Sequence, residues 1–183
     1  RFFSISGDVN KPGVYEMPIG APLRALVEAA GGVIGGEAAL TAIAPSGPSG
    51  GFLPPKIRDP RNAERTVDLL DLDLDIDVFR NYRAALGAGL VVYAGSVDLV
   101  SQAVNATEFY RNESCGKCVP CRVGSQKLVE IGLNLRKHTG SEAAAAARVV
   151  VRELDRALEQ TSICGLGQVA AKPLSTALQH FVT

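Results

Sequence analysis

Cys115-Gly116-Lys117-Cys118-Val119-Pro120-Cys121 places three thiols within seven residues, and a fourth cysteine, Cys164, follows 43 residues after Cys121. Two-residue spacers let a loop wrap so that successive sulfurs point at one centre, as a cubane with one thiolate for each iron requires. Gly116 gives the backbone room to curl there. Pro120 stiffens the loop and removes a donor that would otherwise be stranded. Lys117 and Arg122 set positive charge beside thiolates, which offsets the negative charge of an iron–sulfur core and raises its reduction potential. Three chemistries compete for such residues. Structural zinc also takes four thiolates, usually from two separated Cys-x-x-Cys-like knuckles. Disulfides need pairs, and neighbouring Cys-x-x-Cys pairs form strained, reducible bridges. The three-plus-one pattern suits a 4Fe–4S cluster better than either, although spacing alone leaves zinc standing.

Outward from this loop, the second half of the chain reads as helical. Val100, Ala103, Val104 and Tyr110 mark one face of a first helix, and Leu128, Ile131 and Leu135 a second that ends before Gly140. Val150, Leu154, Ala157 and Leu158 mark a third, opening in the alanine run 143–147, since alanine is the best helix former. Leu174, Ala177, Leu178 and Phe181 mark a fourth behind Pro173. Four amphipathic helices with short connections argue for a small bundle. Cys164, within Ser162-Ile163-Cys164-Gly165, falls between the third and fourth. A helix N-terminus there offers N–H groups and a positive dipole end to a thiolate.

The first half has a different period. Phe3 and Ile5 alternate with Ser4 and Ser6 as a half-buried strand does. Lys11-Pro12-Gly13 supplies a turn, and Val14-Tyr15-Glu16-Met17 the returning strand of a hairpin. A helix follows, with Pro22 at its first position, an apolar stripe of Leu23, Leu26, Val27 and Ala30, and Gly31-Gly32 as its stop. Residues 45–66, with Pro45, Pro48, Pro54, Pro55 and Pro60, read as loop, and Lys56 to Arg65 as a polar surface excursion. Leu70-Asp71-Leu72-Asp73-Leu74-Asp75-Ile76-Asp77-Val78 alternates as a strand would, with one aliphatic face and one row of carboxylates. Calcium suits carboxylate oxygens, yet the glycine and the distal glutamate of an EF-hand loop are missing. A solvated edge that resists aggregation is the simpler reading. Leu90-Val91-Val92-Tyr93 reads as a final buried strand. Hairpin, helix and further short strands follow the order of a ubiquitin-like β-grasp domain. The expected architecture is therefore α+β, with a β-grasp domain over 1–96 and a four-helix domain over 97–183 that carries an iron–sulfur cluster.

Composition narrows the function classes. The 183 residues are 46% hydrophobic and 21% charged with zero formal net charge, which gives no electrostatic grip on nucleic acid. No apolar run approaches the roughly 20 residues of a spanning helix, and no basic-then-apolar signal segment occurs, so the default compartment is the cytoplasm. Arg1 opens on a strand already in progress, so the chain is read as a fragment of a longer polypeptide. The two histidines, His138 and His180, sit near helix ends and are assigned solvated or helix-terminal roles. Glu113 is placed to hydrogen-bond the backbone of the cysteine loop. No nucleophile–base pair and no open metal site mark autonomous catalysis.

The string Glu113-Ser114-Cys115-Gly116-Lys117-Cys118-Val119-Pro120-Cys121-Arg122-Val123-Gly124 closely resembles the signature of the flavin-bearing, NADH-binding subunits of respiratory complex I. The same subunit type occurs in NAD-dependent formate dehydrogenases and NAD(P)-linked hydrogenases. Ser162-Ile163-Cys164-Gly165-Leu166-Gly167 resembles the site of the fourth ligand. The run Ser6 to Tyr15 resembles the soluble-ligand-binding β-grasp module (SLBB) that precedes the cluster domain in that family. The resemblance implies that Cys115, Cys118, Cys121 and Cys164 ligate a 4Fe–4S cluster. It also implies FMN and NAD on an upstream domain absent from this chain, whose flavin splits a hydride into single electrons. Partners implied in the same way are that flavin/NAD domain, a 2Fe–2S subunit and a larger iron–sulfur or molybdenum/tungsten catalytic subunit, in a complex at the inner face of a membrane. Complex I subunits of this type typically have Arg-Glu-Gly after the third cysteine, whereas this chain has Arg122-Val123-Gly124 and then Ser125, which looks more like the formate dehydrogenase and hydrogenase relatives, with formate dehydrogenase preferred. A complex I or hydrogenase subunit, or a metal-stapled docking module without electron relay, are the alternatives.

Overall fold

The computed structural model describes residues 1–137 and 141–182, apart from the side chains of Ala63 and Ser141. The chain divides into two compact units, Arg1–Val97 and Asp98–Thr183.

In the first unit, β1 (Phe2–Gly7) and β2 (Gly13–Glu16) form the expected antiparallel hairpin, with Phe3 opposite Tyr15. Helix α1 (Leu23–Ala29) follows, and it buries Leu23, Leu26 and Val27. Pro22 takes the N-cap rather than the first helical position, in extended backbone. The next strand, β3 (Leu40–Pro48), covers part of the stretch read from sequence as loop, and β4 (Lys56–Asp59) and β5 (Asn62–Asp68) pair as a separate hairpin. Proline weighted the loop reading too heavily. It is tolerated on an edge strand, and β3 is the edge of its sheet. The excursion at 56–65 is a twisted ribbon in which Ile57 stands opposite Val67 and is buried beneath polar neighbours.

The last strand of this unit, β6 (Gly89–Ala94), inserts between the first and the third to give the order β2-β1-β6-β3, parallel to β1 and antiparallel to β3. Its Leu90 and Val92 pack with Phe3, Ile5, Ile43, Leu26 and Phe79 in one core. Gly7 makes this pairing possible. At φ +84° a side chain there would set Cβ 2.1 Å from the Val92 carbonyl oxygen.

The alternating leucine–aspartate run is not a strand. It forms a 3-10 turn (Leu69–Asp71), a short extended stretch, and helix α2 (Ile76–Asn81). Leu70, Leu72 and Leu74 are buried as the alternation requires. The carboxylates have local work instead of forming a row. Asp75 accepts from the Asp77 and Val78 amides as the N-cap of α2, and Asp71 receives Arg24 at 2.7 Å. Arg24 also pairs with Glu37, and these two acids hold its guanidinium well above the ordinary arginine range. Capping outcompetes the strand because an aspartate two residues before a free amide satisfies it directly.

The second unit contains α3 (Leu99–Glu113), α4 (Val119–Lys137), α5 (Ser141–Thr161), a one-turn α6 (Gly165–Val169) and α7 (Lys172–His180). The short α6 separates the third and fourth predicted helices. Helix α3 packs on α4 and α7, and α5 packs on α4, α6 and α7. On α5 the expected stripe holds at Leu158, which is buried, while Leu154 is half-buried, Ala157 is exposed and Val150 is 41% exposed; Ala144, Ala147 and Val151 complete the inward row. On α3 the inward residue of the first turn is likewise Leu99 in place of Val100. Lys172 of α7 donates to Asp155 Oδ2 and Glu159 Oε2 of α5, each at 3.3 Å. No helix among the described residues is long and apolar enough to cross a membrane. His180 is the exposed last residue of α7, while His138 and Gly140 lie outside the described residues.

Candidate metal centre

All four cysteines are free thiols in this chain, and all four line one cavity of about 200 Å³ together with Glu113, Ser114, Lys117, Ile163 and Leu166. Each arrives from a different local structure. Helix α3 stops at Glu113, and Ser114 turns the chain out in extended backbone as its C-cap. Gly116 at φ +73° then bends the loop into the left-handed region that favours glycine. Val119 opens α4, so Pro120 sits in a first turn that does not need its missing N–H, and Cys121 is already helical. From the other side, α5 ends at Thr161 and Cys164 forms the N-cap of α6.

A main-chain amide, that of Ile163, joins the two cysteine segments. The Ile163 amide, then that of Cys121, holds the Cys118 thiol below the ordinary thiol range. Lowering a thiol's pKa in this way favours the thiolate that a metal needs. Arg122 donates to the Gly116 carbonyl at 3.0 Å, so its side chain clamps the loop as well as adding positive charge. Lys117 lies on the cavity wall as expected.

Two serines absent from the sequence-based candidates belong to this site. Ser114 Oγ lies 3.2 Å from Cys121 Sγ and accepts from the Gly116 amide at 3.2 Å. The loop-backbone bond expected of Glu113 is thus made by its neighbour. Ser162 is 7% exposed, and its Oγ has no hydrogen-bond partner among the described residues. That hydroxyl sits beside Cys121, and both crowd the face of Gly167. A Cβ on Gly167 would come within 2.6 Å of Ser162 Oγ and 3.0 Å of the Cys121 Cβ. A serine directly before the first cysteine was the available signal for Ser114, since such hydroxyls commonly bond an amide two residues on.

The donor set fits an iron–sulfur cubane. Four thiols surround a cavity with mainly apolar walls, and a buried hydroxyl beside one of them lacks a partner. No trio of His, Cys, Asp or Glu side chains among the described residues is arranged to hold a single metal ion. Zinc draws its sulfurs to about 2.3 Å from one centre, whereas a cubane gives each thiolate its own iron and spreads them. Four thiols at one apolar cavity give the larger group one ligand for each iron.

Comparison with known proteins agrees with this assignment. Residues 101–183 match the family described as the NADH-ubiquinone oxidoreductase-F iron–sulfur binding region, and residues 2–53 match the SLBB domain. Over 183 residues the chain is 34% identical to the mitochondrial NADH-ubiquinone oxidoreductase 51 kDa subunit of Neurospora crassa, covering 99% of this chain and 34% of that protein. It is 36% identical over 185 residues to the F subunit of the NADH-quinone oxidoreductase of Rickettsia rickettsii, covering 99% of this chain and 40% of the relative. Among solved structures it resembles a chain of the NAD+-reducing NiFe-hydrogenase in the H2-reduced state. That match has a TM-score of 0.76 and 28% identity over 99% of this chain and 28% of the other. The chain thus spans between a third and two fifths of the curated relatives' length.

Proposed function

We propose that this chain, which is similar to the 51 kDa and F subunits of NADH-quinone oxidoreductases and carries their iron–sulfur binding region, is the electron-relay part of an NAD-linked oxidoreductase flavoprotein. Cys115, Cys118, Cys121 and Cys164 hold the 4Fe–4S cluster, which accepts and passes on one electron at a time when bound. The observation that carries this is the meeting of all four thiols at one cavity within the region matched to the iron–sulfur model. FMN and NAD belong to an upstream domain of the same polypeptide, and hydride chemistry takes place there.

This chain's own residues have three tasks. The Ile163 and Cys121 amides and the Arg122 clamp hold the loop in its ligating shape. Lys117 places positive charge at the cavity wall. The apolar side chains Val119, Val123 and Ile163, exposed by 58%, 56% and 71%, lie within two residues of a cysteine in sequence and would supply the apolar centre of a contact with a partner iron–sulfur protein.

The finer assignments are ours as well. The sheet order β2-β1-β6-β3 with α1 packed on it supports a β-grasp domain over 1–96. Helices α3, α4, α5 and α7 support a four-helix domain over 97–183. The parent enzyme is assigned as a formate dehydrogenase on Val123, which is exposed on α4, and on Ser125, which is buried and donates to the Cys121 carbonyl at 2.7 Å. Its partners are then a 2Fe–2S subunit and a molybdenum or tungsten subunit, in the cytoplasm at the inner face of the membrane.

The test uses the full-length protein. It should be brown, with about four irons and four sulfides per chain, and should give a cubane EPR signal when reduced with NADH. A colourless protein with one zinc ion would sink the cluster assignment. If NADH reduces the flavin while this cluster stays oxidised, the relay fails and a metal-stapled docking role takes its place.

A further inference from the structure

Cys121 differs from the other three cysteines in two ways. It is the buried one, 5% exposed, and its sulfur has a hydroxyl 3.2 Å away, that of Ser114. Between a thiol and a hydroxyl either atom could donate. Ligation removes the choice, because only the thiolate binds metal. The Ser114 O–H must then be the donor. Its oxygen already accepts from the Gly116 amide, so Gly116 N–H, Ser114 O–H and Cys121 sulfur form a directed chain in which each bond polarises the next. The chain is held in register from outside. Gly116 sits at φ +73°, and its carbonyl is gripped by Arg122.

We propose that the Ser114 hydroxyl donates a hydrogen bond to the Cys121 thiolate and so raises the reduction potential of the cluster. The proposal rests on the four cysteines being cluster ligands. A reduced cluster carries one more negative charge than an oxidised one, and part of it resides on the sulfurs. A fixed donor at a buried sulfur is therefore worth more in the reduced state. Ser114 touches a ligand rather than the irons, so it is a positioning and tuning residue.

The test is an EPR-monitored reductive titration with dithionite of the full-length flavoprotein in its complex. Loss of one charge-assisted hydrogen bond is worth roughly tenfold in the reduced-to-oxidised ratio at fixed potential, or about 59 mV for a one-electron couple. Ser114→Ala should lower the midpoint by about that amount. Ser114→Thr, which keeps the hydroxyl, should restore most of it. Ser125→Ala removes a bond to the Cys121 carbonyl but none to its sulfur, and should leave the midpoint in place. A purely structural serine would lower the number of irons per chain without moving the midpoint of the clusters that remain. Pulsed EPR of the reduced wild type in ordinary and deuterated buffer should show one exchangeable proton coupled to the cluster beyond those of the Ile163 and Cys121 amides, and Ser114→Ala should lack that one.

An unchanged midpoint in Ser114→Ala, or an equal shift in Ser125→Ala, overturns the proposal. If Ser114→Ala does not assemble a cluster, the decision falls to the other two samples. A wild type without that additional exchangeable coupling, or a threonine variant with the potential not restored, overturns it equally. Failure of the underlying cluster assignment looks different, since the wild type itself would then lack iron and the cubane signal.

Discussion

Around Cys121 a single methyl group is decisive. Gly167 is buried against the Ser162 side chain and the Cys121 Cβ, and an added Cβ would stand 2.7 Å from the Ser162 Cβ. Neither neighbour is the free end of a flexible side chain. Gly167→Ala should cost about 1–3 kcal/mol as an overpacked site and lower the iron bound per chain. Gly165→Ala, two positions earlier, meets nothing within 4 Å and is the control. Denaturant unfolding and iron analysis of both variants check this, and equal behaviour of the two would remove the steric argument. The convergence of the four cysteines on one cavity could be read from spacing, because a shared ligand would fix both residue type and interval. Ser114 and Ser162 could not. A serine's role depends on where its hydroxyl points, and tertiary placement decides that.

At the level of elements, α7 is tied to α5 by a lysine whose partners face it from one side. Burial alone would lower the Lys172 ammonium, but Asp155 and then Glu159 outweigh it and hold it above the ordinary lysine value. A proton held more tightly in the folded chain stabilises in full below the unfolded pKa of about 10.4, and that contribution is lost as pH rises through the higher folded value. Lys172→Met should therefore melt below the wild type at neutral pH, and the gap should narrow only above about pH 10.4. Melting curves taken up to about pH 11 test the sign; a gap that is the same at every pH would show that charge contributes nothing. Elements with strong punctuation, such as α1 behind Pro22 and before Gly31-Gly32, could be read from sequence. The leucine–aspartate run could not, because a period of two also suits an extended stretch that ends in a capped helix. Asp75 decides between them only when the amides of Asp77 and Val78 are there to be capped.

In the whole molecule, two cores form within one chain, and they differ in what completes them. The sheet unit closes on Phe3, Ile5, Leu90 and Val92, which meet without a metal. The helical unit places four thiols around one cavity, and on the proposed assignment a cluster there would join its two cysteine segments more firmly than the Ile163 amide does. Removing iron with a chelator should thus loosen α6 and the loop at 114–118, while amides of β1 and β6 keep their protection. Hydrogen exchange before and after chelation reads this directly, and equal loss in both units would count against separate cores. The insertion of β6 between β1 and β3 was hidden from a local reading. Both strands were recognisable, but pairing over 80 residues leaves no trace in the pattern of either one.

The long interval before Cys164 has a consequence for how the protein is made. Three of the ligands are contributed by seven consecutive residues, so they can gather as soon as that stretch leaves the ribosome. The fourth must be brought back across a loop of 43 residues, an entropic penalty on the order of 3 kcal/mol for an unstructured chain. Once α4 and α5 lie side by side, with Leu158 against Gly124, that penalty is already met by the folding of the hairpin. On the proposed ligand set, completion of the cluster therefore follows the pairing of α4 with α5, and a chain whose α5 has misfolded would be left with three of its four ligands.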